Sequence, residues 1–209
     1  IPDVGDYTTY EIGVRSFVIV RAGETEIKAF PNACLHRGMQ LVDGAGHSLA
    51  LSCRFHGWTW NLDGSLRRIP ERWDFPQTAG KKMCLPEVKV ATWDGFVFIN
   101  PDPDAEAFED YIGELPEHFR AAPLSDRRIA LHVSRVLPAN WKVAMEAFLE
   151  SYHVSPTHPQ SVSVSEYAET QYDVYGQNVS RLATVAIAPA APAMKKLSAQ
   201  EFADLAAKG

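Results

Sequence analysis

The sequence lacks any apolar stretch long enough to cross a bilayer, which takes about 20 consecutive apolar residues in a helix. Its most apolar tail segment, residues 183–194, is interrupted by Pro189 and Pro192. Runs of Lys or Arg are also missing, and the formal net charge is −6. That balance argues against a nucleic-acid partner, because clustered cations carry affinity for phosphates. Cysteine is scarce, with 3 in the chain, a usage that suits a reducing cytosol. What is present is an ordinary globular composition, 46% hydrophobic over 209 residues, enough for one large domain or two small ones.

Two of the cysteines stand in short loops that each offer one thiolate and one imidazole, Cys34-Leu35-His36 and Cys53-Arg54-Phe55-His56. A zinc module usually draws a Cys pair from one knuckle and a His pair from a following helix, so this mixture fits that plan poorly. A Rieske [2Fe-2S] centre needs two Cys on one iron and two His on the other. One Cys plus one His per loop meets that need if the loops clamp the cluster from opposite sides.

Cys34-Leu35-His36-Arg37-Gly38 and Cys53-Arg54-Phe55-His56-Gly57-Trp58 resemble the cluster loops of Rieske proteins. Respiratory-chain members carry an extra disulfide-forming Cys in each loop, where this chain has Met39 and Phe55. The resemblance is therefore to the disulfide-free oxygenase and ferredoxin branch. Loss of that brace should favour a lower potential, since potential follows ligand charge, hydrogen bonds to sulfur and solvent exposure. Cys84 is left without an intrachain partner and reads as a small buried hydrophobe.

Around the loops the pattern is β-rich. Phe17-Val18-Ile19-Val20 reads as a strand core, Ala22-Gly23-Glu24 as a turn, and residues 25–30 as a second strand. Residues 47–52 lead into the second loop as a strand, and residues 58–61 leave it as another. Asp63-Gly64 and Asp94-Gly95 are hairpin signals, since both central positions of the favoured turn require positive φ. Several short strands with Gly-centred turns indicate a small all-β domain. Trp58 and Trp60 are candidates to shield the cluster, with plain sheet packing an equal reading for each. His47 has no ligand partner in register and reads as a surface histidine.

Pro101-Asp102-Pro103-Asp104 marks a boundary, placing domains at 1–103 and 104–209. Beyond it, residues 105–119 read as a helix and residues 129–137 as a strand. Residues 140–153 read as a longer helix with Trp141, Met145, Phe148 and Tyr152 on its apolar face. Glu146, Glu150 and His153 share its other stripe, within about one sixth of a turn. His158 follows in the next loop, so two imidazoles can converge on one ion. By itself the stripe also matches a salt-bridged solvated face made by Lys142, Glu146 and Glu150. Apolar Val143, Ala147 and Leu149 flank it, and the cluster motif lies upstream.

Asn140-Trp141-Lys142, Glu146, Glu150-Ser151-Tyr152-His153 and His158 resemble the mononuclear-iron motif of Rieske non-haem iron ring-hydroxylating oxygenases. That resemblance implies an α+β chain: an all-β Rieske domain, then the first part of a helix-plus-antiparallel-sheet (helix-grip) catalytic domain. It implies a [2Fe-2S] cluster on Cys34, His36, Cys53 and His56, and an Fe(II) ion on His153, His158 and one carboxylate. Glu150 matches the acid that bridges a ligand His and, across a subunit contact, a cluster His of the neighbouring chain, here His56. Many relatives have Asp at the Glu150 position and Glu-Asn where this chain has Glu146-Ala147. The family's carboxylate ligand comes from later in the catalytic domain, and Glu166, Glu169, Asp173 and Asp204 lie in no pattern that nominates them. The chain is accordingly expected to be a piece of a longer polypeptide. Residues 171–187 alternate as strands, and Ser198-Ala199-Gln200-Glu201 is a capping box before a short helix.

The expected activity is that of an oxygenase component. It takes electrons from a nicotinamide-fed reductase, directly or through a ferredoxin, and uses O2 to hydroxylate an aromatic or similar apolar substrate. The resemblance implies a trimer, while a β subunit and the choice between mono- and dioxygenation are left open. The rival reading is a Rieske ferredoxin with an appended domain, which leaves Glu150, His153 and His158 unused.

Overall fold

The structure is a computed structural model that describes residues 1–158 and 165–186. The chain divides into two compact units, Ile1–Phe108 with Pro123–Arg127, and Glu109–Ala122 with Arg128–Gly209.

In the first unit, β1 (Asp6–Ile12), β2 (Arg15–Arg21), β3 (Ile27–Pro31) and β4 (Ala45–His47) form an antiparallel sheet in the order β3-β2-β1-β4. A second sheet joins β5 (Leu51–Ser52), β6 (Thr59–Trp60) and β7 (Leu66–Arg68) in chain order. β8 (Lys89–Trp93) and β9 (Phe96–Asn100) make a separate hairpin. The unbroken apolar run Phe17-Val18-Ile19-Val20 is explained by burial of β2 on both faces. Val18 and Val20 pack with Phe30, Leu51, Trp58 and Trp60, whereas Phe17 and Ile19 pack with Val88, Val90, Val97 and Ile99.

Both hairpin signals form turns, by different chemistry. Asp94 and Gly95 take φ of 51° and 91°, the pair of positive values that a two-residue primed turn requires. The Asp94 carboxylate also accepts from the backbone N–H groups of Leu124 and Ser125, which ties residues 123–127 to this unit. At Asp63-Gly64 only Gly64 is left-handed, with φ of 84°. There Gly64 N–H donates to Asn61 O, and Asp63 instead caps Ser65 through its side chain. The strand expected over residues 47–52 is interrupted, because Ser48 Oγ donates to Ala50 O and turns the chain between β4 and β5. Cys84 is exposed, contrary to the buried reading. It bridges Ser65 while the neighbouring Met83 takes the inward place beside Leu66.

In the second unit, the helix expected over residues 105–119 is two short ones, α1 (Phe108–Ile112) and α2 (Leu115–Phe119). Gly113 breaks them at φ of 50° and Pro116 opens the second, where its missing N–H costs nothing. Residues 129–137 form no strand and are exposed, having no partner strand among the described residues. The helix expected over residues 140–153 shortens to α3 (Trp141–Glu146), capped by Asn140, whose side chain accepts from Lys142 N–H. Past it the hydrogen bonds tighten to three-residue steps, from Phe148 to Met145 and from Leu149 to Glu146. A separate turn, α4 (Val154–Thr157), follows His153. β10 (Ser165–Tyr175) and β11 (Val179–Ala186) then pair antiparallel around a turn at Gly176, as the alternation over residues 171–187 anticipates. The capping box at Ser198, Asp204, and the side chains of Glu166 and Glu169 lie outside the described residues.

Candidate functional site

The two cluster loops are built alike. In the first, Cys34 N–H donates to Met39 O and Gly38 N–H to Cys34 O; in the second, Cys53 N–H donates to Trp58 O and Gly57 N–H to Cys53 O. Each loop closes on a glycine at positive φ, 72° for Gly38 and 70° for Gly57, a conformation that L side chains resist. At Gly57 a Cβ would also stand 3.1 Å from Pro70 Cγ. This shared frame carries one Cys and one His per loop toward the same place.

There, Cys34 and Cys53 are free and buried. Burial, together with the adjacent Cys53 thiol, pushes the Cys34 thiol above its usual pKa. Two buried thiols side by side are a site that a cation would stabilise. The imidazoles of His36 and His56 meet edge to face with centroids 4.6 Å apart. Burial, with His56 and Arg37 nearby, holds the His36 imidazole below its usual pKa, in the neutral form a metal needs. His36 Nδ1 is buried and makes no hydrogen bond, an orphan that a ligand bond would satisfy. The residues present therefore fit a cluster held by two thiolates and two imidazoles.

Trp58 stacks on the His36 ring at 4.9 Å, nearly parallel, and Phe75 meets both edgewise. Trp60 is fully buried in the core. Of the two tryptophans, Trp58 is thus the one stacked on the His36 ring. Met39 and Phe55, which occupy the places of the respiratory-type disulfide, are both exposed. His47 is exposed as expected, and its Nδ1 is hydrogen-bonded to the Asp6 carboxylate, 2.9 Å away.

Asn32 escaped the sequence reading. Buried at the foot of the first loop, its side chain donates to Val42 O and Ser16 Oγ and accepts from the N–H groups of Leu41 and Val42. It clamps the two ends of the loop that carries Cys34 and His36. Only its place just before Ala33-Cys34 could have hinted at this.

In the second unit, Glu150, His153 and His158 do come together, though not on one helix. The Glu150 carboxylate accepts from His153 N–H at 3.1 Å and is hydrogen-bonded to His153 Nδ1. This pair of bonds holds the turn that runs from Glu150 into α4. The bond with His153 also holds the Glu150 carboxyl below its usual pKa, so it stays ionised. With Nδ1 engaged, His153 keeps Nε2 for a metal. The His158 ring lies with its centroid 5.4 Å from that of His153, at 77°. Two imidazoles each about 2.1 Å from a shared ion, at an angle between square and tetrahedral, put their centroids about 5 Å apart, so the ring spacing matches that of a shared ion. Lys142 forms no ion pair with Glu146 or Glu150 among the described residues, which departs from the solvated-face alternative. Ser151, also missed in the sequence, is buried; its N–H donates to the Tyr172 hydroxyl and its Oγ to Thr170 Oγ1, fixing this turn to β10. Among the described residues, no three His, Cys, Asp or Glu side chains surround a single ion; a cluster takes two protein ligands per iron, and the His153 pair has no third.

An all-β unit with paired thiols and paired imidazoles, in one chain with a carboxylate-oriented histidine pair, defines a Rieske-type iron–sulfur protein with a second candidate metal centre. Comparisons with known proteins place it further. Residues 2–88 match the Rieske [2Fe-2S] domain, and residues 121–206 match the catalytic domain of the ring-hydroxylating alpha subunit. The chain belongs to the Rieske oxygenase alpha-subunit family, whose two domains imply a [2Fe-2S] cluster and a mononuclear iron.

Among its relatives, the carnitine monooxygenase oxygenase subunit of Acinetobacter pittii (strain PHEA-2) is 36% identical over 174 residues, 80% of this chain and 47% of that one. Chlorobenzene dioxygenase subunit alpha of Cupriavidus sp. (strain PS12) is 34% identical over 73% of this chain and 36% of its own length. The solved structure of the quaternary ammonium Rieske monooxygenase CntA with L-carnitine superposes with a TM-score of 0.77 at 30% identity, covering 87% of this chain and 52% of that one. Naphthalene 1,2-dioxygenase with indole in its active site gives 0.67 at 32% identity, covering 78% and 38%. The chain spans about half the length of the curated carnitine monooxygenase relatives it matches.

Proposed function

We propose that this chain belongs to the oxygenase component of a multicomponent system that hydroxylates a small organic substrate with O2 and reductase-derived electrons. The observation that carries the reading is the ionised Glu150 carboxylate holding His153 Nδ1, with the His158 ring 5.4 Å away, in a chain that also bears the paired cluster loops. An electron carrier has no use for that second arrangement.

Cys34 and Cys53 would hold one iron of the cluster, and His36 and His56 the other. His153 and His158 would hold the mononuclear iron. When bound, the cluster supplies single electrons and the ferrous ion a place to activate dioxygen beside a C–H bond. The protein's own groups prepare these places. Glu150 fixes the ring orientation and tautomer of His153, and Trp58 and Phe75 keep water from His36. His56 is exposed, which suits the bridge to Glu150 of a neighbouring copy that the family resemblance implies, and with it a trimer. Domain limits of 1–103 and 104–209 remain the working division.

For the substrate we favour a quaternary ammonium compound over the aromatic ring expected from the motif alone. Support comes from the carnitine monooxygenase relative and the L-carnitine-bound CntA structure, which has the higher TM-score. The aromatic reading keeps the support of the chlorobenzene relative. Parallel assays with carnitine, glycine betaine and naphthalene separate the two readings. Replacing Glu150 by Gln in the full-length protein should leave both metals bound and slow turnover roughly 10–100-fold, the usual cost of removing a group that orients a metal ligand. Unchanged turnover would remove the relay from this reading.

A further inference from the structure

Resting on the proposed function, we infer that the face formed by β7 and the segment beside it is the docking surface for an acidic one-electron donor, an iron–sulfur protein or domain of negative charge. The sequence has no basic run, yet the fold assembles a basic patch from separate segments. Ser65 bridges Cys84 and Leu66 N–H donates to Met83 O, so residues 82–84 lie beside β7 in antiparallel register. Leu66 and Met83 face the core. By alternation Arg67 and Lys82 are therefore opposite each other on the outer side. Arg68 pairs with Thr59 on the other flank, and Arg54 stands in the loop between β5 and β6.

Like charges directly opposite each other across strands are destabilising. Arg54, Arg67, Arg68, Lys81 and Lys82 are all exposed, and none forms an ion pair among the described residues. The acids nearest in sequence are engaged locally: Asp63 by Ser65, and Glu71 by the Trp73 indole N–H. Residues 53–85 thus hold six basic and three acidic side chains in a chain of net charge −6. An unneutralised patch of the sign opposite to its own chain is an arrangement for steering an anionic partner.

Its position selects which partner. Arg68 lies opposite the residue after Trp58, the ring stacked on His36. Pro70 stands over Gly57 of the second cluster loop, its Cγ 3.1 Å from where a Cβ on that glycine would lie, and Phe75 meets the His36 ring edgewise. Exposed Trp73 adds an aromatic anchor of the kind interfaces concentrate. A donor seated here has the cluster ligands directly behind the contact. One electron leaves the reduced donor, which is oxidised by one, and the cluster is reduced by one; no bond is made or broken.

The test uses full-length, cluster-loaded protein and a purified acidic [2Fe-2S] ferredoxin as probe. Binding should weaken with salt. The double variant Arg67→Glu with Lys82→Glu should raise Kd at least tenfold and slow cluster reduction by reduced ferredoxin, while dithionite reduction and the cluster's paramagnetic resonance spectrum stay unchanged. Arg15→Glu, an exposed reversal at the first residue of β2, should change nothing. A cluster-bearing double variant that binds the ferredoxin as tightly as wild type would overturn this inference alone. Equal competition by a duplex oligonucleotide would overturn it by making the patch a general polyanion surface, and self-association through the patch would overturn it in favour of a second copy. Protein without labile sulfide would overturn both this inference and the functional reading on which it rests.

Discussion

At the scale of single residues, the site depends on side chains whose value is set by partners far away in sequence. Asn32 is the clearest case. Its amide satisfies two carbonyl or hydroxyl acceptors and two backbone N–H donors at once, so truncation leaves buried groups unpaired at about 1–3 kcal/mol each. Asn32→Ala should therefore lower stability by roughly 2–4 kcal/mol in urea denaturation, and its cluster should be lost faster to a chelator. Asp6 offers a pH-dependent test. The hydrogen bond with His47, helped by the Asp3 N–H, depresses its pKa below 3.8. The contribution is then present above that value and fades as pH falls through the lower folded pKa. Wild type should exceed His47→Ala in stability near pH 5, and the gap should close as acid unfolding titrations descend below 3.8. The pairing of the two candidate cluster loops was legible without coordinates because each loop carries its own Cys, His and Gly at short spacing. Asn32, Trp58 as a stacking ring and Ser151 were not, because their roles exist only after β1–β4, β5–β7 and β10 have brought distant segments together.

At the scale of elements, local signals prevailed where the turn or strand was self-sufficient. Asp94-Gly95 makes its hairpin because both residues adopt positive φ, and β10 and β11 follow their alternation. Periodicity failed where a side chain or backbone group interrupted it. Residues 140–153 have helical spacing throughout, yet the backbone bonds tighten to three-residue steps at Phe148 and Leu149, and the Glu150 carboxylate takes the His153 N–H just before a new turn. The same interruption is what sets His153 and His158 face to edge, so the departure from the expected helix creates the candidate iron site. Gly113 similarly divides α1 from α2. The turn holding Glu150 and His153 is pinned to β10 by Ser151 N–H donating to the Tyr172 hydroxyl at 2.9 Å. Tyr172→Phe keeps the ring and removes that acceptor, so it should cost about 1–3 kcal/mol in thermal or chemical unfolding. It should also weaken iron retention without altering the cluster's spectrum. Equal iron affinity in the variant would separate the turn's anchoring from metal binding.

At the scale of the whole molecule, two compact units divide the chemistry. One buries two thiols and sets two imidazoles beside them in paired loops on a β scaffold; the other holds a carboxylate-oriented histidine pair beside a two-stranded sheet. The family assignment rests on both, since matches to the Rieske domain and the catalytic domain fall in turn along the chain. No helix among the described residues is long and apolar enough to cross a membrane. The central claim is that a histidine-ligated sulfur cluster and a separate ion on His153 and His158 exist in one chain. Iron and labile-sulfide analysis with electron paramagnetic resonance, on wild type and on His153→Ala with His158→Ala in full-length protein, tests it most directly. The account predicts about three irons and two sulfides per chain in the wild type. The double variant should lose one iron and keep the sulfide and the reduced-cluster signal. Iron content unchanged by the double substitution, or protein without sulfide, would contradict it.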